Sequence, residues 1–385
     1  MRRRFFVFFG LFLFLYGAVN YYIGMRFLAL AAALLGPATW IYWAVVVLGA
    51  GASLAARMRR RRSPGSIGFL SATIGDYWLA FAFHGLLLWG LVDFIQLLIP
   101  LARTDNVDWG LGVASVMCAL FAHGYRRAHT VRISRYNVAV NKRIAGLPSL
   151  RAVLVSDLHL GTTTNNARLA VMVEHIVALA PDIVFFAGDI IDGDISAFAA
   201  EELPRLLHRL VPRFGCYAVL GNHEYIGANP RDAVRQLESA GVTVLVDRWT
   251  HVNSQFYVVG RNDAYASMRS KHSAGRRALV AVMEGVDCTQ PIILLDHQPI
   301  ALREAEQNGV DLMLSGHTHH GQFFPNQFLT KRMYAVDWGY LRQGVLQVIV
   351  SCGFGTWGPP IRTSGYSEIV EVNVSFRASV YRSGL

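Results

Sequence analysis

Four long apolar stretches crowd the first 123 residues, and they limit what the chain can fold into more than any other feature. They are "FFVFFGLFLFLYGAVNYYI" (5–23), "PATWIYWAVVVLGAGASLAA" (37–56), "WLAFAFHGLLLWGLVDFIQLLIPL" (78–101) and the shorter "WGLGVASVMCALFAH" (109–123). About 20 apolar residues in a helix match the hydrocarbon thickness of a bilayer. In lipid, only a helix or a closed barrel satisfies every backbone polar group. An N-terminal bundle of about four transmembrane helices is therefore expected over 1–128. Pro37 suits a helix start, and Trp40 and Trp43 suit an interface. "RFLALAAALL" (26–35) is too short to span alone and is expected to lie in the interface. The chain is 53% hydrophobic and only 16% charged, too apolar for an ordinary soluble protein of 385 residues.

The net charge is +10, and much of the excess sits in arginine clusters beside the apolar stretches. "MRRR" precedes the first, Arg57–Arg62 follows the second, and "YRRAHTVR" follows the fourth, while the outer links carry only Arg26 and Arg103. Such placement sets membrane orientation, and it predicts that all three clusters and everything beyond residue 125 are cytoplasmic. Nucleic acid is not the expected partner; the phospholipid bilayer is. "RRRFF" faintly resembles a twin-arginine export signal, but three further apolar stretches argue against a cleaved leader. His84 and Asp93 lie inside the third stretch, nine positions apart and about half a turn out of phase, so they do not face each other. Asp93 is expected to pair with Gln96 or with a neighbouring helix. Cys118, Cys216, Cys288 and Cys352 form no CxxC, so neither a disulfide framework nor a thiolate zinc site is expected.

After a basic linker (129–149) the texture changes. Short apolar runs that end in polar residues recur at "RAVLVSD" (151–157), "DIVFFAGD" (182–189), "CYAVLGNHE" (216–224), "PIILLDH" (291–297) and "DLMLSGH" (311–317). Each reads as a buried strand opening into a loop. Helical patterns at 166–179, 230–240 and 299–308 alternate with them, and Asn229 with Pro230 makes a cap and first turn. This predicts an α/β domain over 150–385, closed by hairpin material at "GVLQVIVSCG" and "YSEIVEVNV". Open α/β sheets bind ligands at the carboxyl ends of their strands. Those ends here offer Asp157, His159, Asp189, Asn222, His223, His297, His317 and His319. Oxygen and imidazole donors without thiolate suit Mn, Fe or Zn better than calcium. Their number exceeds one tetrahedral site. Two ions about 3.5–4 Å apart fit it better, and such a pair is the usual apparatus for phosphate-ester hydrolysis.

The order "SDLHLG … GDIIDGD … GNHE … DHQP … GHTHHGQ" resembles the calcineurin-like metallophosphoesterase family, over roughly residues 150–375. "SGHTHHGQFFP" and "VSCGFGTWGPPIR" resemble its bacterial membrane-linked subgroup typified by the YkuE and YaeI proteins. That subgroup reads Gly-Gly-Gln after the His-x-His, and here His320 replaces the first Gly. The resemblance implies a four-layer α/β/β/α sandwich and a site with two divalent or trivalent ions. It implies that Asp157, His159 and His319 bind one ion, that Asn222, His297 and His317 bind the other, and that Asp189 bridges. It further implies that His223, oriented by Glu224, acts at the leaving-group oxygen, with a metal-activated hydroxide as the attacking group.

Asp192 matches a position that orients a ligand imidazole; Asp194 has no assigned role. Arg168, in the first helix of the domain, is expected to be a solvated helix charge rather than a phosphate contact. "GRND" (260–263) sits where relatives have a substrate-side loop. The stretch 322–344 mixes aromatics with Lys331, Arg332 and Arg342, and reads either as a packed active-site loop or as a lip for anionic headgroups. His175, His208, His251 and His272 read as surface or core residues. The expected activity is membrane-anchored phosphodiester or pyrophosphate hydrolysis in the bacterial inner membrane, with a lipid-linked phosphate ester as partner. A non-catalytic metal-binding regulatory module is the alternative, and a transporter has only His84 and Asp93 behind it.

Overall fold

The structure, a computed structural model, describes residues 2–59, 66–99, 106–161, 165–192, 197–227, 229–269 and 275–377. Arg60 to Arg62, Pro100, Leu101, Arg103, Asp194 and His272 lie outside the described residues. The chain divides into two compact units, Met1–His123 and Gly124–Leu385.

The first unit is helical: α1 (Arg2–Leu35), α2 (Thr39–Arg59), α3 (Ser66–Leu98) and the greater part of α4 (Asn106–His129). Among the described residues, three runs are long and apolar enough to cross a membrane: Phe6–Ala55, Leu70–Leu98 and Asn106–His129. The first run holds two helices. Gly36, at φ +51°, and Pro37 break it at the 3-10 turn Gly36–Ala38. The Tyr42 hydroxyl donates to the Gly24 carbonyl at 2.7 Å, and that of Tyr16 to the Ala50 carbonyl at 3.0 Å, so α1 and α2 run antiparallel. The stretch 26–35 is not a separate interfacial piece. Its Leu and Ala residues favour helix, and nothing before Gly36 stops α1. Asp93 pairs with Arg26 of α1 and accepts from the Tyr22 hydroxyl, a link between helices and not to Gln96. His84 turns to the carbonyl of Ala80 one turn back.

The second unit is built on strands. In chain order these are β1 (Val131–Val140), β2 (Ser149–Val155), β3 (Leu160–Gly161), β4 (Ile183–Ala187), β5 (Ile191–Asp192), β6 (Cys216–Val219) and β7 (Val242–Val244). Then come β8 (Arg248–Val252), β9 (Phe256–Gly260), β10 (Ile292–Leu295), β11 (Leu312–Ser315), β12 (Gly339–Gln343), β13 (Leu346–Val350) and β14 (Ser367–Phe376). One six-stranded sheet has the order β1-β14-β2-β4-β6-β7 and the other β12-β13-β11-β10-β9-β8. Side chains alternate across each strand, and the alternation assigns the layers. Leu150, Ala152 and Leu154 of β2 face Phe256, Val258, Ile293, Leu312 and Ile349 between the sheets. Val153 and Val155 point the other way, onto Leu169, Met172 and Ile176 of the helix Asn166–Leu179. On the far side of the second sheet, Leu294, Met313 and Val348 pack on Leu279, Val282, Leu302 and Ala305. The unit is thus a four-layer α/β/β/α sandwich.

Two expectations need correction. The stretch 129–149 is not simply a linker, because β1 occupies 131–140 and pairs in parallel with β14 from Val131↔Ser367 to Val140↔Phe376. Its arginines suggest a solvated tether, but Arg135 pairs with Glu371 of β14 at 2.7 Å while Val138 and Val140 enter the core. The end of the chain also does more than close a sheet. β12 and β13 form an antiparallel hairpin, whereas β14 crosses to the first sheet and lies antiparallel to β2.

Candidate metal centre

β2, β4 and β6 are parallel neighbours in the first sheet, and β10 and β11 are parallel neighbours in the second. Their carboxyl ends therefore emerge together, and each strand stops where a polar residue follows. Asp157 and His159 follow β2, Asp189 follows β4, Asn222 and His223 follow β6, His297 follows β10, and His317 and His319 follow β11. Backbone strain gathers at these positions. Asp157, His159, Asp189, His317 and His319 all have φ between 49° and 75°, in the left-handed region. Such conformations persist where surrounding contacts over-determine them. Asp157 donates its N–H to the Gly188 carbonyl and His159 its N–H to that of Asp189, both at 3.0 Å. Close approach also demands glycine. A Cβ on Gly221 would lie 2.1 Å from Asp189 Oδ1, and one on Gly316 would lie 2.4 Å from Asp157 Oδ2.

Among the described residues three donor groups have their atoms within 4.8 Å of one another: Asp157, His159 and His319; Asp189, His297 and the half-buried His317; and His159, Asp192 and His223. The first two are the clusters that lie at the strand ends without a shared supporting carboxylate. In the first, His159 Nε2 is 3.1 Å from His319 Nε2, which is 3.4 Å from Asp157 Oδ1. In the second, His297 Nε2 is 3.1 Å from Asp189 Oδ2, 3.2 Å from Asn222 Oδ1 and 3.3 Å from His317 Nδ1. Asp189 Oδ2 also lies 4.0 Å from His159 Nε2, so this oxygen sits between the clusters. Its Oδ1 accepts the His223 N–H at 2.8 Å.

The donors fit a cation. His297 Nδ1 is 2.7 Å from the Ala187 carbonyl, which can only accept, so Nδ1 carries the proton. The bare Nε2 then faces a carboxylate oxygen and an amide oxygen. Lone pairs turned toward one another in a buried space need either a proton or a metal ion between them. Burial disfavours charge on His297, but the Asp189 carboxylate outweighs it and raises the imidazole well above its ordinary range. Burial and the neighbouring His297 push His317 down to about 4. The same atoms would serve as ligands to a cation.

Asp192, Glu224 and His320 stand around these donors, and only Glu224 departs from its expected role. Asp192 stands behind two imidazoles, with Oδ2 3.6 Å from His159 Nδ1 and Oδ1 3.2 Å from His223 Nδ1. Glu224 does not orient His223. Its carboxylate is fully buried and accepts the backbone N–H groups of Asp189, Ile190, Ile191 and Gly221 at 2.7–3.1 Å, which ties the two loops together. The partner of the His223 ring is Asp192. Against the cost of burial, Asp192, Asp189 and Glu224 raise His223 to about 9. His320 leaves the site: its Nδ1 is 2.9 Å from Asp337 Oδ2, and its ring packs on Trp338.

Arg168 is neither a phosphate contact nor a solvated charge. It donates to the carbonyls of Ala128 and His129 and to Ser367 Oγ at 2.7–2.9 Å. In the "GRND" stretch, Asp263 binds Gln298, and Asn262 takes the Tyr225 hydroxyl. Sequence reasoning assigned no role to Arg362. This guanidinium is fully buried; it donates to the Gly353 carbonyl at 3.0 Å and lies 3.4 Å from His319 Nδ1. The "VSCGFGTWGPPIR" resemblance included Arg362 without saying what its side chain does.

Residues 150–321 match the calcineurin-like phosphoesterase family. Over 262 residues the chain is 32% identical to an uncharacterized metallophosphoesterase of Aquifex aeolicus, a likeness covering 66% of this chain and 96% of that protein. It is 34% identical over 254 residues to a transmembrane protein with metallophosphoesterase domain from Danio rerio, covering 64% of this chain and 57% of the other. It is 29% identical over 207 residues to the UDP-2,3-diacylglucosamine pyrophosphatase LpxG of Chlamydia trachomatis, covering 53% of this chain and 58% of that one. The chain thus spans less than two thirds of the length of the Danio and Chlamydia relatives. Taken with the donor clusters at the strand ends, the likeness along nearly the whole Aquifex protein means that the chain belongs to the calcineurin-like metallophosphoesterase family of metal-dependent phosphate-ester hydrolases.

Proposed function

We propose that this protein is a membrane-anchored phosphoesterase that uses two metal ions to cleave phosphodiester or pyrophosphate bonds, with a lipid-linked phosphate ester as its substrate class. The observation that carries the proposal is the position of Asp189 Oδ2, 3.1 Å from His297 and 4.0 Å from His159, between two clusters of bare donors. Asp157, His159 and His319 would hold one ion, Asn222, His297 and His317 the other, and Asp189 both. Two ions of Mn, Fe or Zn would supply Lewis-acid polarisation of the phosphate oxygens and lower the pKa of water in the site.

The chain's own residues do the rest. Asp192 fixes the ring of His223 through Nδ1 and leaves Nε2 to give a proton to the departing oxygen. Glu224 locks the loops that carry Asp189 and His223. Preference for diesters and pyrophosphates rests on the likeness to LpxG, and the lipid-linked substrate class also on the presence of membrane helices in the same chain. The arginine clusters support a multi-pass protein of the bacterial plasma membrane with a cytoplasmic catalytic unit. The organisation we favour is a helical anchor over 1–128 and an esterase domain over 150–385, to whose sheet edge β1 adds a strand.

The test is to purify the full chain and measure metal per chain and hydrolysis of a chromogenic phosphodiester, beside His319→Ala. About two ions per chain, with turnover lost in the variant and on chelation, is the expected result. Metal without turnover on mono-, di- or pyrophosphate substrates would replace the proposal with a regulatory module.

A further inference from the structure

The helix Gln327–Met333 and the turn before it present an unusual surface. Phe324, Phe328, Leu329 and Met333 are 54%, 63%, 60% and 64% exposed. Lys331 and Arg332, both exposed, occupy the last turn of the same helix. Large apolar side chains beside lysine and arginine on one short element are the make-up of a segment that lies in a headgroup layer. In water alone, four such side chains together would be a liability.

Two further observations say what covers this face. The Phe324 N–H donates to Thr363 Oγ1 at 2.8 Å. Residues 361–363 in turn pack on Gly124, near the end of α4: the Arg362 N–H donates to the Gly124 carbonyl at 3.0 Å, and a Cβ on Gly124 would lie 2.6 Å from Ile361 Cγ2. All of these residues belong to the second unit. Gly124 is also part of Asn106–His129, a run long and apolar enough to cross a membrane. The apolar face is therefore two contacts from Gly124, in the last turns of that run. At its other end, the helix leads into Tyr334, whose ring centroid is 6.2 Å from that of His317.

We propose that Phe324–Met333 is an interfacial lip that rests on an anionic bilayer, with Phe324, Phe328, Leu329 and Met333 at the headgroup–acyl boundary and Lys331 and Arg332 on lipid phosphates. It holds the mouth of the metal centre at headgroup depth. Resting on the function proposed above, this narrows the substrate class to a phosphate ester whose scissile bond lies at headgroup level of a membrane-resident lipid.

The test uses the full chain reconstituted in vesicles of phosphatidylcholine and phosphatidylglycerol, with Cys118 and Cys288 replaced by serine. An environment-sensitive fluorophore is placed at Phe328→Cys or, as a comparison, at Val211→Cys, which is 86% exposed in the native chain. Nitroxide-labelled acyl chains should quench the probe at 328 at least about threefold more than the probe at 211, and the excess should shrink with Lys331→Glu/Arg332→Glu. Equal quenching at the two positions would overturn the proposal. So would cross-linking of 328 to 328 in dilute vesicles, which would assign the face to a second copy. A second measurement compares substrates. Phe328→Asp/Leu329→Asp should slow turnover of a bilayer-held phosphodiester about tenfold while changing a water-soluble chromogenic one less than about twofold. Equal losses would again refute the lip. If the unsubstituted chain cleaves neither substrate, the proposed function fails, and the quenching comparison still decides the docking.

Discussion

In the donor cluster of Asp189, His297 and His317, a main-chain carbonyl, that of Ala187, sets the imidazole of His297. In the cluster of Asp157, His159 and His319 side chains stand there instead: Asp192 lies 3.6 Å from His159 Nδ1, and Arg362 3.4 Å from His319 Nδ1. A carbonyl is present whatever residue occupies position 187, so the orientation of His297 is resistant to mutation. The first cluster can be adjusted from outside, at positions that are not themselves ligands. The comparison teaches that the two halves of one centre need not be equally tunable, and that metal affinity should be easiest to alter on the Asp157–His159–His319 side.

The largest effect is expected from Asp189→Ala, which removes the oxygen shared by both clusters. Both ions should be lost, with a fall in turnover of about 10³-fold or more, read by elemental analysis and phosphodiester kinetics. Retention of one tightly held ion would show that the clusters do not depend on a shared carboxylate. Asp192→Asn sharpens the contrast. It should weaken one ion by about 10–100-fold and leave the other nearly unchanged, in a two-site metal titration. Equal weakening of both sites would erase the distinction drawn above.

Glu224→Gln comes next and should act on stability. An amide cannot accept all four backbone donors that the carboxylate holds, so unfolding should cost about 1–3 kcal/mol less, seen as a lower thermal midpoint at unchanged metal content. A loss of turnover without a loss of stability would return Glu224 to a catalytic role. The smallest effect belongs to His320→Ala, since its partners are Asp337 and Trp338. Turnover should stay within about threefold and stability within about 1 kcal/mol; a large change in the metal titration would make His320 part of the centre.

Much of this site could be read from the chain because strands announce their ends. A buried strand is a short apolar run, and the first polar residue after it must lie at the sheet edge. Asp157, Asp189, Asn222, His297 and His317 were placed in that way before any contact was known. The roles of their supporters were not legible. Glu224 stands next to His223 in sequence, yet its carboxylate turns to the backbone of the β4 loop. Asp192 reaches the same imidazole from another strand. Arg168 looked like a surface charge because helix position alone does not reveal which carbonyls wait beside it. Among the apolar helices, Pro37 marked the start of the second, but the run of α1 through 26–35 and the partner of Asp93 on α1 were set by packing.

By itself, then, the sequence determined the membrane helices, the alternation of strands and helices, and the donor types in their order, since each depends on composition and periodicity over a few residues. Only the tertiary structure decided which carboxylate backs which imidazole, and that β1 joins a sheet instead of trailing as a linker. Those outcomes depend on strands distant in the chain meeting edge to edge. His317 and His319 are two residues apart and serve different clusters, because β2 and β4 of the first sheet approach the loop after β11 from different places.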